Sequence, residues 1–184
     1  PGPGRVGAAT VAGTEARWSM RPEGYGAIEA ENVGRWDGFS VMHVYGSGAA
    51  RFTYRFRVSP AARRVALDAG RVRVRLRASS ELPGRGEGST AEDESRLRIS
   101  VDGVALGEIE VPTDDGAGRW IELTSDAPSV LATMRRPGVH TLGLEVPAGP
   151  LANGLCVYGQ ATGTEPVPEG AGLLPGRVEI VLGR

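Results

Sequence analysis

The chain has 184 residues with 21 basic and 22 acidic side chains, a formal net charge of -1, so the positive field that drives general binding to nucleic acid is missing. No apolar run approaches the roughly 18 residues that a membrane-crossing helix needs, and all basic residues are Arg, which points to GC-rich coding in a bacterium rather than to a binding task. A chain of this size can bury roughly 70% of its unfolded surface as one domain without disulfide staples.

Residues 1–22 begin Pro1-Gly2-Pro3-Gly4, with no initiator Met and no basic segment leading into an apolar one. They read as a leading linker with one candidate strand near Ala16-Arg17-Trp18-Ser19-Met20, and the whole reads as a piece of a longer polypeptide. Residues 23–160 read as one β-sandwich. Short strands are expected near 26–32, 39–45, 51–58, 71–79, 96–101, 104–111, 119–124, 139–146 and 153–159, separated by turn residues at the spacing of a sandwich or jelly roll. Residues 161–184 form a Gly/Pro-rich tail ending in a final strand, Arg177 to Leu182, which either closes a sheet edge or starts a neighbouring domain.

Alternation carries the fold class. Arg71-Val72-Arg73-Val74-Arg75-Leu76-Arg77 places Arg at every second position, and Arg51 to Val58 and Arg96 to Val101 repeat the pattern. A strand with one face buried has this period. The class is all-β, an antiparallel sandwich or jelly roll. No helix of three turns is expected, only one short turn between Ser129 and Arg136, ended by Pro137-Gly138.

Asp102-Gly103 suits a type I′ turn, which needs positive φ at both central residues, so the strands on either side should pair. Their apolar parity flips at Gly107. A bulge there returns Ile109 and Val111 to the core and sets Glu108 and Glu110 opposite Arg98 and Arg96. The Arg ladder then reads as exposed cross-strand ion pairs, with a polyanion-binding face as its alternative. The Gly-rich loop 81–95 is long for a compact sandwich and reads as mobile or functional.

Cys156, the only cysteine, excludes an internal disulfide and reads as a buried strand thiol, flanked by Leu155, Val157 and Tyr158. His43 and His140 stand outside metal-ligand spacings and read as strand-surface residues. No catalytic motif is present: no GxSxG, no P-loop, no GxGxxG before a helix. Acidic pairs such as Asp114-Asp115 read as solvated turn residues. Glu29 and Glu31 share one strand face, a spacing that suits a hard cation such as calcium if carbonyls complete its shell; pairing with Arg of a neighbouring strand is the alternative.

The segment Ala27-Ile28-Glu29-Ala30-Glu31-Asn32 resembles the opening of carbohydrate-binding modules of families 6 and 35, in the galactose-binding-like β-sandwich superfamily. Arg51 to Val58, Arg71 to Ala78, Val101-Asp102-Gly103 with Gly107, Pro137 to Leu142, and Asn153-Gly154-Leu155 with Tyr158 continue the likeness in order, over about residues 26–159. Trp36-Asp37-Gly38-Phe39 together with Asn153 to Gly159 is also similar to sandwich domains appended to bacterial glycoside hydrolases of family 2. The resemblance implies a non-catalytic module of a larger polysaccharide-degrading enzyme, secreted or at the cell surface. Its implied partners are a polysaccharide or oligosaccharide and the catalytic domain of the same polypeptide, with neither nucleic acid nor membrane.

The resemblance also implies a structural calcium, with Glu29 and Glu31 as its ligands. One departure stands out: the last strand reads Leu155-Cys156-Val157-Tyr158 and lacks the Asp that such modules usually bring to that ion. Sugar recognition needs an aromatic face for the apolar side of a pyranose and polar groups for its hydroxyls. The residues assigned to it are Trp36, Tyr45 and Trp120 as rings and Asp37 and Asn153 as polar partners; Trp36 and Trp120 read alternatively as core plugs. Two other functions stay open. One is a structural domain packed on a catalytic domain, and the other is a jelly-roll lyase or hydrolase, which would need two carboxylates across a cleft.

Overall fold

The computed structural model describes residues 6–20, 24–26, 29–36, 39–45, 51–80, 94–112, 119–147, 154–161 and 178–184, with side chains outside the description at 24–26, 29–36, 39–45 and 159–161. Among these residues the strands are β1 (Gly7–Ala8), β2 (Thr10–Ala12), β3 (Glu15–Met20), β4 (Gly24–Gly26), β5 (Glu29–Trp36), β6 (Phe39–Tyr45), β7 (Arg51–Val58), β8 (Arg71–Ser79), β9 (Ser95–Val101), β10 (Val104–Val111), β11 (Arg119–Ser125), β12 (Gly138–Glu145), β13 (Gly154–Ala161) and β14 (Val178–Gly183). Two helices, α1 (Pro60–Asp68) and α2 (Pro128–Met134), accompany them.

The strands form two sheets, antiparallel but for the short β1–β7 pairing. The first has the order β1-β7-β12-β9-β10, with β4 also on β7; the second runs β2-β3-β14-β8-β13-β6-β5, with β11 on the other side of β8. Along one side of β8 two strands share the register: β14 takes Arg71 to Leu76 and β13 takes Arg77 to Ser79.

Alternation in sequence becomes the division between core and water. Phe52, Tyr54, Phe56 and Val58 of β7 are buried against Val72, Val74, Leu76 and Ala78 of β8 and Leu97, Ile99 and Val101 of β9. The intervening Arg residues pair across strands: Arg98 with Glu108 at 2.8 Å, Arg96 with Glu110 at 3.6 Å, and Arg75 with Glu122 at 3.2 Å. The expected hairpin is present, with Asp102 at φ 50 and Gly103 at φ 78. So is the bulge, a register shift between Ala105 and Gly107 that leaves Glu108 opposite Arg98 and Glu110 opposite Arg96.

Near either end of the described chain, β3 and β14 lie inside the second sheet. Trp18, expected within a leading linker, is fully buried; its indole Nε1 donates to the Arg57 carbonyl at 2.9 Å and its ring meets Phe56 edge-on at 5.5 Å. The final strand, β14, stands between β3 and β8.

The loop 81–93 and the tail 162–177 lie outside the described residues. Helix α2 matches the expected turn, whereas α1 was not expected. Its signals are in the chain: Ser59 caps the Ala62 amide at 3.2 Å, Pro60 sits in the first turn, and Ala62, Val65 and Ala66 form the buried stripe.

His140 corrects the surface reading of its strand. It is 4% exposed, because the hairpin turn and the segment after α2 close over it: Nδ1 lies 2.7 Å from Asp102 Oδ2, and Nε2 donates to the Arg136 carbonyl at 2.8 Å. Its spacing carries no sign of either partner, one coming from a turn far back in the chain. Cys156 is buried, as expected.

Candidate functional site

At one end of the sandwich a hydrogen-bond chain joins the ends of β8, β9, β10 and β13. Ser80 Oγ donates to the Val111 carbonyl and accepts from the Ser95 amide at 2.7 Å. Ser95 Oγ accepts from the Gly154 amide at 2.9 Å, and the Ser80 amide donates to the Pro112 carbonyl at 3.1 Å. Both serines are fully buried, so each bond replaces one that water would otherwise make. No local signal marks this clasp, since isolated serines at strand ends look like ordinary turn residues.

Trp120 of β11 is near this end, opposite Arg77 of β8. It is 60% exposed, which overturns the core-plug reading of this ring. The Arg75 guanidinium lies over the indole, 5.2 Å from its centroid. Glu122, two residues on, steadies that guanidinium at 3.2 Å and reaches Arg73 at 3.7 Å. Strand alternation thus produces a rigid exposed ring backed by a held cation. Among the aromatic side chains described, Trp120 alone is exposed; Trp18, Phe52, Tyr54, Phe56 and Tyr158 are buried.

The other sequence-assigned positions are spread over the sheet. Tyr45 ends β6, opposite Gly154; Asn153 and Asp37 lie outside the described residues. Trp36 pairs with Phe39 at the opposite end of the β5–β6 hairpin. Along β6 that separation is roughly 20 Å from six residues of strand rise, so the register does not bring Trp36 and Tyr45 to one sugar ring. Trp120 and Tyr45 are also roughly 20 Å apart, across three strand spacings and four residues.

Glu29 and Glu31 occupy β5 opposite Tyr45 and His43. Calcium takes six to eight oxygen ligands. The side chains of Glu29, Glu31 and His43 lie outside the description. Among the residues whose side chains are described, no group of three His, Cys, Asp or Glu side chains gathers to hold a metal.

Two shallow cavities flank the other end of the sandwich. One, of about 210 Å³, is lined by Thr14, Arg64, Asp68 and Arg184 among others; the second, of about 150 Å³, by Glu15, Arg71, Arg73 and Arg184. Each holds a single carboxylate, so neither brings together the pair that glycoside hydrolysis uses. No described helix is long and apolar enough to cross a membrane.

No family model matches the chain, and no curated protein matches it. Solved structures do. A family 36 carbohydrate-binding module of a multidomain xylanase from the hindgut metagenome of Trinervitermes trinervoides is 14% identical at a TM-score of 0.47, over 89% of this chain and 95% of that one. A family 35 module from Cellvibrio japonicus is 14% identical at 0.47, over 91% and 98%. A cycloisomaltooligosaccharide glucanotransferase from Paenibacillus is 13% identical at 0.47; 75% of this chain is covered, spanning only 17% of that enzyme. The chain is similar to these proteins in shape; a likeness at this level assigns it no ligand.

Proposed function

We propose that this chain is a non-catalytic carbohydrate-binding module of a larger, exported bacterial polysaccharide-degrading enzyme, and that it holds glycan at the loop end of the sandwich. The observation that supports the reading is Trp120, an exposed indole on a strand, backed by Arg75. A ring kept in water offers the apolar platform that the face of a pyranose stacks on, and a strand holds it more firmly than a loop does. Neighbouring guanidinium groups donate hydrogen bonds to sugar hydroxyls without losing their own carboxylate partners.

In this reading Trp120 is the anchor, with Tyr45 and Asn153 contacting the ligand further along the same end. Their separation calls for an oligosaccharide of several units. Trp36, at the other end of the β5–β6 hairpin, is by register also roughly 20 Å from Trp120, across four strand spacings and two residues of rise, so it too meets only an oligosaccharide that crosses the sheet, with Asp37 as its chain neighbour. Affinity is modest, because a shallow site exchanges water bonds for protein bonds at small net gain.

A glycan-array screen followed by calorimetric titration of the best oligosaccharide tests this. Trp120→Ala should lose at least about tenfold in affinity, roughly 1.4 kcal/mol of stacking, with an unchanged circular dichroism spectrum because the ring is exposed. Equal affinity in the variant removes Trp120 from the site. Failure to bind any glycan overturns the module reading and favours a structural domain that packs on its catalytic partner.

A further inference from the structure

The two cavities at the end of the sandwich away from Trp120 share Thr14 and Arg184, and the second is walled by Arg71, Arg73 and Arg184. The backbone fixes the roots of these chains. Gly183 of β14 is opposite Arg71 and Val181 is opposite Arg73, while the Gly70 amide donates to the Gly183 carbonyl at 3.0 Å. Gly183 carries no side chain, so Arg71 and Arg184 stand beside a floor of bare backbone next to the buried Val181. Among the described residues, the guanidinium groups of Arg71, of Arg184 and of Arg64 in the adjoining cavity make no ion pair and no hydrogen bond. Arg63 and Arg135, by contrast, spend theirs on the Arg135 and Ala66 carbonyls, each at 3.1 Å. Arg73 is held loosely, since Glu122 lies 3.7 Å from it and 3.2 Å from Arg75. The one carboxylate in the second cavity, Glu15, is already engaged by Arg17 at 3.0 Å.

We propose that this cavity binds a phosphate group, free or as an ester, with Arg71 and Arg184 as its principal ligands, Arg73 as a third and the Thr14 hydroxyl as a neutral donor. Like charges gathered round one concavity repel, and an anion seated among them relieves that repulsion. The guanidinium fork matches phosphate oxygens bidentately. Three forks used in this way offer about six N–H donors, beyond the roughly four lone-pair sites of a carboxylate, whereas a tetrahedral dianion presents more oxygens and more charge. The cavity is shallow and open to water, so binding is modest and weakens with salt. It is independent of the glycan reading: Trp120 is opposite Arg77, six residues along β8 from Arg71, a separation of roughly 20 Å.

The test titrates the intact chain with inorganic phosphate in low-salt buffer and follows amide and Arg side-chain resonances by NMR, with chloride at matched ionic strength as the control. Phosphate should shift the resonances of Arg71, Gly183 and Arg184 saturably and raise the thermal midpoint, because an ion bound only to the native state stabilises it. Arg71→Gln should weaken phosphate binding at least about tenfold, and adding Arg184→Gln should abolish it. Arg57→Gln, the same loss of charge on the first sheet, should leave it unchanged. All three positions are exposed, so the circular dichroism spectra should match that of the unaltered chain. A parallel titration with a sugar phosphate separates the two sources, both of which must depend on Arg71: tighter binding than the free ion assigns the site to a phosphorylated glycan, weaker binding to inorganic phosphate. Equal responses to phosphate and chloride, or equal losses in Arg71→Gln and Arg57→Gln, overturn the site.

Discussion

The carboxylate of Asp102 lies 2.7 Å from His140 Nδ1 and, through its other oxygen, accepts from the Thr141 amide at 2.8 Å. One acid thus joins the β9–β10 turn to β12, while Arg136 reaches the same carboxylate at 3.3 Å and the Asp102 amide donates to the Thr141 carbonyl at 2.8 Å.

Asp102→Ala therefore removes the hydrogen-bond partner of a nearly buried imidazole nitrogen and the acceptor of a backbone amide. A buried donor left unsatisfied costs about 1–3 kcal/mol, so urea unfolding should show a loss of about 2–4 kcal/mol when the turn residue itself is counted. Asp102→Asn keeps an acceptor for Thr141 and tolerates the positive φ, and should lose about half as much. Equal losses in the two variants would show that the turn, rather than the carboxylate, is what matters.

Tyr54 offers the opposite case. Its hydroxyl is fully buried with no hydrogen-bond partner among the described residues, and burial pushes its ionisation far above the usual tyrosine range. Above pH of about 10 the unfolded chain releases that proton and the native one does not. The stabilising contribution, complete below that pH, is therefore lost as pH rises beyond it. Tyr54→Phe should raise stability by about 1 kcal/mol at neutral pH by removing an unpaired polar atom, and should flatten the alkaline decline in thermal midpoint. A destabilised Tyr54→Phe would reveal a hydrogen bond to that hydroxyl.

The Arg ladder predicts small effects. Arg98 and Glu108 pair at 2.8 Å with both side chains well exposed, and such pairs contribute about 0.2–1 kcal/mol. Arg98→Gln should cost less than about 1 kcal/mol and leave binding of any anionic glycan unchanged. A large loss of affinity for a uronic-acid polymer would instead make this face a polyanion surface.

Ser80→Ala removes both bonds made by the Ser80 hydroxyl. The Ser95 amide is left buried without an acceptor, a loss of about 1–3 kcal/mol. Because the clasp joins the ends of β8, β9, β10 and β13, hydrogen exchange should speed up at Ser95 and Gly154 before it does in β7 or β12. Uniform acceleration would mean that the clasp does not act locally.

Much of this architecture was legible because alternation at β7, β8 and β9 and the Asp102-Gly103 turn are local signals, and Gly107 betrayed its bulge through a parity error. What escaped the sequence depends on partners remote in the chain. The strand around Trp18 was legible, but not its burial, because β14, which pairs with it, lies at the other end of the numbering. His140 looked exposed because Asp102 is 38 residues away. Helix α1 was hidden by Arg63 and Arg64, which break up a short apolar stripe. At the site, the types of residue could be read but not their spacing: the register of the β5–β6 hairpin separates Trp36 from Tyr45.

The position of β14 also governs the order in which the molecule can be assembled. While the chain is being made, β3 and β8 emerge without the strand that bonds to both, and the apolar sides of Ala16, Trp18, Val72 and Val74 wait for a late arrival. Pairings between such distant segments are slow to form, and open strand edges are prone to join other chains in the meantime. A ribosome-bound or shortened chain lacking residues beyond 160 should thus behave as an adhesive intermediate rather than as a smaller sandwich.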